Sequence, residues 1–210
     1  MKLNLPNKLT VFRIILIPFF VLFIVYPVFG SDNLTASRIV AAAIFIIAAI
    51  TDFFDGNIAR KRGLVTTFGK FMDPLADKFM IFGAFVSICF SDYVLDFGTD
   101  SIIPSGILRH VVFWATLLVI FRELAITSMR LVLSNNSGIV VAANMLGKIK
   151  TVTQFVSVII ILLEPIAFPT GGILSLIFVI IMAFFTVWSG LNYLIHNWSS
   201  INTINNPRQL

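Results

Sequence analysis

The chain has 210 residues, of which 58% are hydrophobic and 12% charged, and its mean hydropathy is +0.98. Soluble domains carry about 25% charged residues, so this composition excludes a soluble protein and indicates a membrane protein. The net charge of +5 does not indicate nucleic-acid binding. The Lys and Arg residues stand beside apolar runs, where they suit anionic lipid headgroups.

The N-terminal segment mixes basic and apolar residues. Lys2, Lys8 and Arg13 alternate with leucines, and Pro6 with Asn7 offers a helix start. We expect an N-terminal interfacial helix here that leads into the first membrane span. A simple cytoplasmic anchor explains the same residues.

Apolar runs of about 20 residues recur along the chain, and each is long enough to cross a hydrocarbon core of roughly 30 Å as a helix. We predict an all-α integral membrane protein with six transmembrane helices, forming a single catalytic domain over residues 1–210. The predicted spans are about 9–29, 36–62, 67–90, 108–133, 145–167 and 171–196. The only cysteine, Cys89, lies within the third span, so an intrachain disulfide is excluded.

Positive charges mark alternate connections between these spans. Lys and Arg occur before the first span, between the second and third, between the fourth and fifth, and after the last. The other connections are poor in Lys and Arg and contain Asp32, Asp92 and Glu164. The positive-inside rule therefore places both termini, and the connection between the second and third spans, in the cytoplasm.

Four aspartates flank the join between the second and third spans. Residues at spacings of three and four share one face of a helix. The first such face is formed by Asp52, Asp55, Gly56 and Ala59. The second is formed by Gly69, Asp73 and Asp77. Two antiparallel helices joined by a short basic loop can point these faces at each other.

Four carboxylates in one small volume repel one another unless cations neutralise them. A carboxylate at the bilayer centre costs roughly 2.5–3.5 kcal/mol on insertion scales, so the aspartates must line a wet cavity or bind cations. Hard ions such as Mg²⁺ or Mn²⁺ prefer oxygen ligands, and two of them can bridge a diphosphate. Missing side chains at Gly56 and Gly69 leave room for helix packing or for a flat ligand.

The pattern D-x2-D-G-x2-A-R-x8-G-x3-D-x3-D, from Asp52 to Asp77, resembles the signature of the CDP-alcohol phosphatidyltransferases at every fixed position. The resemblance implies a homodimer that transfers a phosphatidyl group from CDP-diacylglycerol to an alcohol and releases CMP. It implies that two Mg²⁺ or Mn²⁺ ions are bound by Asp52, Asp55, Asp73 and Asp77. Asp77 is also the implied general base. The implied CDP-lipid site consists of Asp52, Gly56, Ala59, Arg60 and Gly69.

Further cations bear on the acceptor alcohol. Arg122 and Glu123 lie in the middle of the fourth span, where an unpaired arginine is costly, so they are expected to face the protein interior. A surplus of cations predicts an acceptor that itself carries phosphate, such as glycerol 3-phosphate. The predicted acceptor-phosphate site consists of Arg122, Arg130, Lys148 and Lys150. Positive-inside topology alone is a second explanation for the two lysines.

Three stretches, 4–13, 122–123 and 147–154, resemble those of the bacterial phosphatidylglycerophosphate synthases. That resemblance favours glycerol 3-phosphate over inositol phosphate, serine or phosphatidylglycerol as acceptor. An ion-coupled transporter is the alternative from another class, since intramembrane carboxylates also mark ion pathways. A transporter predicts broken helices and repeated halves, and the sequence has neither.

Overall fold

The computed structural model describes residues 4–61, 66–137 and 145–205, and all regular structure in these ranges is helical. The α-helices, in chain order, are α1 (Leu5–Val25), α2 (Leu34–Lys61), α3 (Thr67–Phe90), α4 (Ser105–Ser137), α5 (Met145–Ala167) and α6 (Ile173–Asn205). Short 3₁₀ turns at Ser31–Asn33 and Gly98–Asp100 lie in two of the connections. The predicted all-α fold is confirmed.

Within the described ranges, five helical segments are long and apolar enough to cross a membrane. They are Leu5–Val25, Ser31–Asp52, Ser105–Leu133, Met145–Ala167 and Ile173–Trp198. α3 has 24 residues, but Asp73, Asp77 and Lys78 in its first half lower its hydropathy. The chain is therefore a multi-pass membrane protein. One further helix, α3, is long enough to cross a membrane but carries charged residues in its first half.

α1 continues without a break through Pro18, so the expected N-terminal interfacial helix is the first part of α1 and not a separate element. Three of its polar residues do not face lipid headgroups, because Asn7, Thr10 and Arg13 are only 5%, 1% and 0% exposed. Spaced three apart, they form a polar stripe on the side of α1 that packs against α2 and α3. Because this stripe is buried, the N-terminal part of α1 packs inside the bundle and does not lie on the membrane surface.

The buried apolar residues concentrate in one half of the bundle, which we call the loop end. It contains the connections 26–33, 91–104 and 168–172. Toward the middle of the bundle, the Phe45 ring of α2 lies 5.3 Å from that of Phe20 in α1 and 5.4 Å from that of Phe155 in α5. The opposite half, where α1 and α3 begin and α2 ends, is the charged end.

Two arginines bind the long connection at the loop end. Arg38 of α2 donates to the carbonyl oxygens of Tyr93 and, at 2.8 Å, of Asp96. Arg109 of α4 donates at 2.9 Å to the carbonyl oxygen of Ser91. Burial raises the pKa of the Tyr93 phenol, against the lowering effect of the Arg38 guanidinium, so the hydroxyl stays a hydrogen-bond donor.

Glu164, near the end of α5, is fully buried and joins that helix to α6. It accepts hydrogen bonds from the backbone N–H groups of Gly172, Leu174 and Ser175 at 2.9, 3.2 and 2.7 Å. These amides begin α6, where the first N–H groups lack partners within the helix and a negative charge is favourable. The buried carboxylate is thus stabilised by the backbone of the next helix.

Candidate active site

Arg13 of α1 joins the two helices that carry the aspartates. Its Nη1 atom lies 2.6 Å from Oδ1 of Asp52 in α2 and 2.5 Å from Oδ1 of Asp77 in α3. Because one nitrogen contacts both oxygens, the two carboxylates lie close together at the charged end. The structure therefore brings Asp52 and Asp77 into one site, with α1 as its third wall.

Asp73 is bound by α1 as well. Thr10 donates from Oγ1 to Oδ1 of Asp73 at 2.7 Å, and Asp73 precedes Asp77 by one turn of α3. We use the name aspartate cluster for Asp52, Asp73 and Asp77 together with these two residues of α1. Three of its members are carboxylates and one is a permanent cation.

Gly69 lets α1 approach the start of α3 closely. Thr66 caps α3 by accepting from the Gly69 N–H at 3.0 Å, and its hydroxyl donates to Oδ1 of Asn7 at 3.1 Å. A Cβ atom at Gly69 would lie 3.0 Å from that Asn7 oxygen. The absent side chain thus serves the contact between the two helices.

The aspartate cluster is closed on the α1 side and open to solvent on the other. The Arg13 side chain is 0% exposed, whereas those of Asp52 and Asp77 are 36% and 52% exposed. The carboxylates are therefore accessible from outside the bundle, and Arg13 contacts them from the protein interior.

Four further residues of the predicted site lie on the last turns of α2, and their side chains are outside the described residues. They are Asp55, Gly56, Ala59 and Arg60. Their predicted roles in metal and CDP-lipid binding stay predictions.

The donor set suits a hard divalent cation, because the described carboxylates of the aspartate cluster offer only oxygen ligands. Among the described residues, no group of three or more His, Cys, Asp or Glu side chains is arranged to hold a metal ion. Arg13 occupies the position between two of the three described carboxylates. The carboxylates thus suit such an ion by the type of their donor atoms, and Arg13 contacts two of them.

A second group of charges lies around Glu123 of α4. Its Oε1 accepts from Nζ of Lys150 in α5 and, at 3.0 Å, from Nη1 of Arg122. These three side chains, which we call the glutamate cluster, are each less than 15% exposed. Gly190 of α6 makes room for Arg122, since a Cβ there would lie 3.2 Å from its Cγ. Arg122 faces the protein interior, as its sequence position requires.

Donor atoms beside the glutamate cluster are left without partners. Within the described residues, Nε of Arg122 and Nε2 of Gln154 are buried and make no hydrogen bond. Gln154 follows Lys150 by one turn of α5. Buried donors of this kind cost free energy unless a ligand accepts from them.

Lys78 connects the two clusters. It follows Asp77 directly in α3 but donates to Oγ1 of Thr127 in α4, and that hydroxyl donates to the backbone carbonyl of Glu123 at 2.7 Å. The charges of Glu123, Arg130 and Asp77 all act on its ammonium group. Consecutive residues of α3 therefore contact α1, through Asp77, and α4, through Lys78.

The other two predicted acceptor residues are placed differently. Arg130 lies over the Tyr193 ring, with its guanidinium carbon 5.4 Å from the ring centroid, and its charge acts on Lys150. Lys148 is exposed and makes no hydrogen bond or ion pair within the described part of the chain. The structure thus gathers Arg122 and Lys150 at Glu123, with Arg130 within electrostatic range, and leaves Lys148 at the surface.

Sequence reasoning did not assign Thr10, Arg13 or Lys78 to the site. The spacing of Asn7, Thr10 and Arg13 was a usable signal, because polar residues three apart in an otherwise apolar helix mark a buried polar face. Lys78 offered none, since its neighbour Asp77 faces another helix and only the tertiary fold shows which one Lys78 meets.

Comparison with known proteins gives one matching family. A family model described as CDP-alcohol phosphatidyltransferase matches residues 3–188. The chain is 39% identical over 213 residues to the CDP-diacylglycerol–glycerol-3-phosphate 3-phosphatidyltransferase of Bacillus subtilis (strain 168), covering 96% of this chain and 99% of that protein.

Two further relatives have similar coverage. The Escherichia coli (strain K12) protein of the same name is 37% identical over 200 residues, which is 92% of this chain and 94% of that protein. The probable phosphatidylglycerophosphate synthase of Mycobacterium tuberculosis (strain ATCC 25618 / H37Rv) is 35% identical over 193 residues, or 90% of this chain and 79% of that protein. The range that the family model matches, residues 3–188, contains the residues of both clusters.

Proposed function

Because the chain belongs to the CDP-alcohol phosphatidyltransferase family, we propose that it transfers the phosphatidyl group of CDP-diacylglycerol to sn-glycerol 3-phosphate. The products are phosphatidylglycerophosphate and CMP, in the biosynthesis of anionic phospholipids. Three relatives with high coverage bear names for this reaction. The six helices act as one catalytic domain over residues 1–210.

One observation of the structure carries this proposal. Asp77 of the aspartate cluster contacts Arg13 of α1, and the next residue of α3, Lys78, reaches the backbone carbonyl of Glu123 through the Thr127 hydroxyl. A diphosphate donor needs divalent cations and a base, and an acceptor phosphate needs fixed positive charge. The two requirements are met by neighbouring groups, so the acceptor hydroxyl can be held beside the donor diphosphate.

The family is generally dependent on divalent metals, and we assign two Mg²⁺ or Mn²⁺ ions to this chain. The residues that would hold them are Asp52, Asp55, Asp73 and Asp77. When bound, these ions would stabilise the negative charge of the diphosphate. Arg60 adds a fixed cation for the same diphosphate. The CDP-lipid site is formed by Asp52, Gly56, Ala59, Arg60 and Gly69.

Asp77 acts as the general base. It takes the proton of the acceptor hydroxyl as that oxygen attacks the β-phosphorus of the CDP-lipid. The bond from this phosphorus to the oxygen that bridges to the cytidine monophosphate breaks, and CMP leaves with the electron pair. Half of the Asp77 side chain is exposed, so the hydroxyl can reach it without movement of α1.

Arg122 and Lys150 bind the acceptor phosphate, with Arg130 and Lys148 as further cations of the same end. Glu123 positions the first two, because its Oε1 accepts from both. One carboxylate cannot neutralise two cations, so a net positive charge faces the ligand. The unpartnered donors of Arg122 and Gln154 can be satisfied by phosphate oxygens, which serine does not carry.

The site and both termini face the cytoplasm in this proposal, since most basic residues, Arg38 and Arg109 excepted, lie away from the loop end. Membrane lipids surround the bundle, and the active form is a homodimer. The topology is tested with variants that carry a cysteine either in the tail after α6 or in the 91–104 connection. Intact cells are treated with a thiol reagent that does not cross the membrane. Labelling of the tail cysteine but not of the cysteine in the connection contradicts the proposed orientation.

The central test supplies purified protein with CDP-diacylglycerol and Mg²⁺ or Mn²⁺. Glycerol 3-phosphate, inositol phosphate, serine and phosphatidylglycerol are then added separately, and CMP release is measured. We expect release with glycerol 3-phosphate. Release with another acceptor in its place overturns the acceptor assignment but keeps the chemistry, and no release with any of them overturns both.

A further inference from the structure

The most unusual ionic contact at the charged end is made by Arg13. Its side chain is completely buried, and its partners Asp52 and Asp77 belong to two different helices. Removing one partner of a buried ion pair leaves an uncompensated charge, which is strongly destabilising. The same two carboxylates are the ones proposed to bind divalent cations, so Arg13 and those cations share ligands.

We propose that Arg13 is the resident counter-ion of the aspartate cluster. It neutralises Asp52 and Asp77 and holds α2 and α3 against α1 when divalent cations are not bound, and its contacts weaken when cations bind. Arg13 is in this sense a positioning residue that preserves the site before it is loaded. The weakening of the Arg13 contacts by cations rests on the proposed function, whereas the neutralisation of Asp52 and Asp77 by Arg13 does not.

Three observations support this assignment. The guanidinium approaches from the buried side, while the carboxylates are 36% and 52% exposed on the other side, so a cation from solvent can reach them without crossing α1. Thr10, one turn before Arg13, binds Asp73 at 2.7 Å, which gives α1 a contact with each described carboxylate of the cluster. One nitrogen of Arg13, Nη1, contacts both Asp52 and Asp77, so a single cation joins α2 and α3 to α1.

The first experiment compares thermal unfolding of detergent-purified protein in EDTA and in Mn²⁺. We expect Arg13→Gln to lower the midpoint in EDTA by roughly 5–10 °C. Mn²⁺ should then raise the midpoint of this variant by more than it raises that of the wild type, because only the variant lacks a cation in the cluster. An equal Mn²⁺-induced rise in both proteins overturns the proposal.

Arg38→Gln is the matched control. Arg38 is also a buried arginine, but it donates to backbone carbonyls at the loop end. Relative to the wild type, Arg38→Gln should lower the unfolding midpoint by the same amount in EDTA and in Mn²⁺. A larger Mn²⁺-induced rise in this variant as well would mean that the effect reports general instability, and it would overturn the assignment to Arg13.

The second experiment is a double-mutant cycle measured in EDTA. If Arg13 neutralises Asp52, then Arg13→Gln with Asp52→Asn should be more stable than Arg13→Gln alone. A double variant that is less stable than the single one contradicts charge balance. Should Arg13→Gln fail to fold, rescue by Asp52→Asn or by Arg13→Lys answers the same question, and failure of both rescues overturns the proposal.

These tests separate the inference from the proposed function. If the wild type shows no response to Mn²⁺ or Mg²⁺, the proposed metal site fails. The cycle in EDTA contains no divalent cation and still decides whether Arg13 balances the cluster.

Discussion

The two ends of the bundle stabilise buried charge in different ways. At the loop end, Arg38 donates to backbone carbonyls and Glu164 accepts from backbone amides. At the charged end, Arg13 and Glu123 are paired with other charged side chains. Backbone groups cannot leave without unfolding a helix or a loop, but a side chain can exchange its partner for a ligand. The partners of a buried charge thus distinguish scaffold from site.

The largest expected effect tests this distinction at the aspartates. Asp77→Asn removes the proposed base and a proposed metal ligand, so CMP release should fall at least about 100-fold while the helical content is kept. The rate is measured with both substrates at saturation, and helical content by circular dichroism. Retained activity would break the assignment of Asp77.

The loop end should respond in stability instead of rate. Glu164→Gln weakens the hydrogen bonds to the start of α6, so the unfolding midpoint should fall by roughly 5–10 °C. The KM for each substrate, measured well below the new midpoint, should stay at the wild-type value. A large change in KM with an unchanged midpoint would remove the contrast between the two ends.

A smaller effect is expected at the glutamate cluster. Lys150→Ala should raise the acceptor KM roughly tenfold, the equivalent of about 1.4 kcal/mol, and leave the KM for CDP-diacylglycerol unchanged. Lys8→Ala removes an exposed lysine of α1 and controls for overall charge. If both KM values rise equally in Lys150→Ala, the cluster does not select the acceptor.

The last prediction concerns the approach of α1 to α3. Gly69→Ala places a Cβ 3.0 Å from Oδ1 of Asn7, which should cost about 1–3 kcal/mol in stability. Gly106→Ala is the control, because a Cβ at that position has no heavy atom within 4 Å. Equal unfolding midpoints of the two variants would show that α1 can move away from the added Cβ without loss of stability.

Much of the fold follows from the sequence because backbone groups in lipid must be paired internally, which leaves helices as the solution for long apolar runs. The helical spacing also predicted that Asp73 and Asp77 share a face of one helix and that Asp52 lies on a face of the preceding helix. The role of α1 did not follow. Arg13 and Asp77 are 64 positions apart, and no local periodicity states which helices meet.

The glutamate cluster illustrates the same limit. Arg122 was expected to face inward because its charge is costly in lipid, and it does. That Lys150 would share the same carboxylate oxygen depends on how α5 lies against its neighbours, and the basic residues near the membrane surface are equally well explained by topology. Only the fold separates Lys150, which is buried, from Lys148, which is exposed.

The position of Lys78 next to Asp77 has a mechanical consequence. Consecutive residues of an α-helix point about 100° apart around its axis, so the two side chains face different neighbours while sharing a rigid backbone. Any rotation of α3 that moves Asp77 toward or away from α1 must turn Lys78 by the same angle beside α4. The contacts of Asp77 with α1 and of Lys78 with α4 therefore change together when α3 rotates.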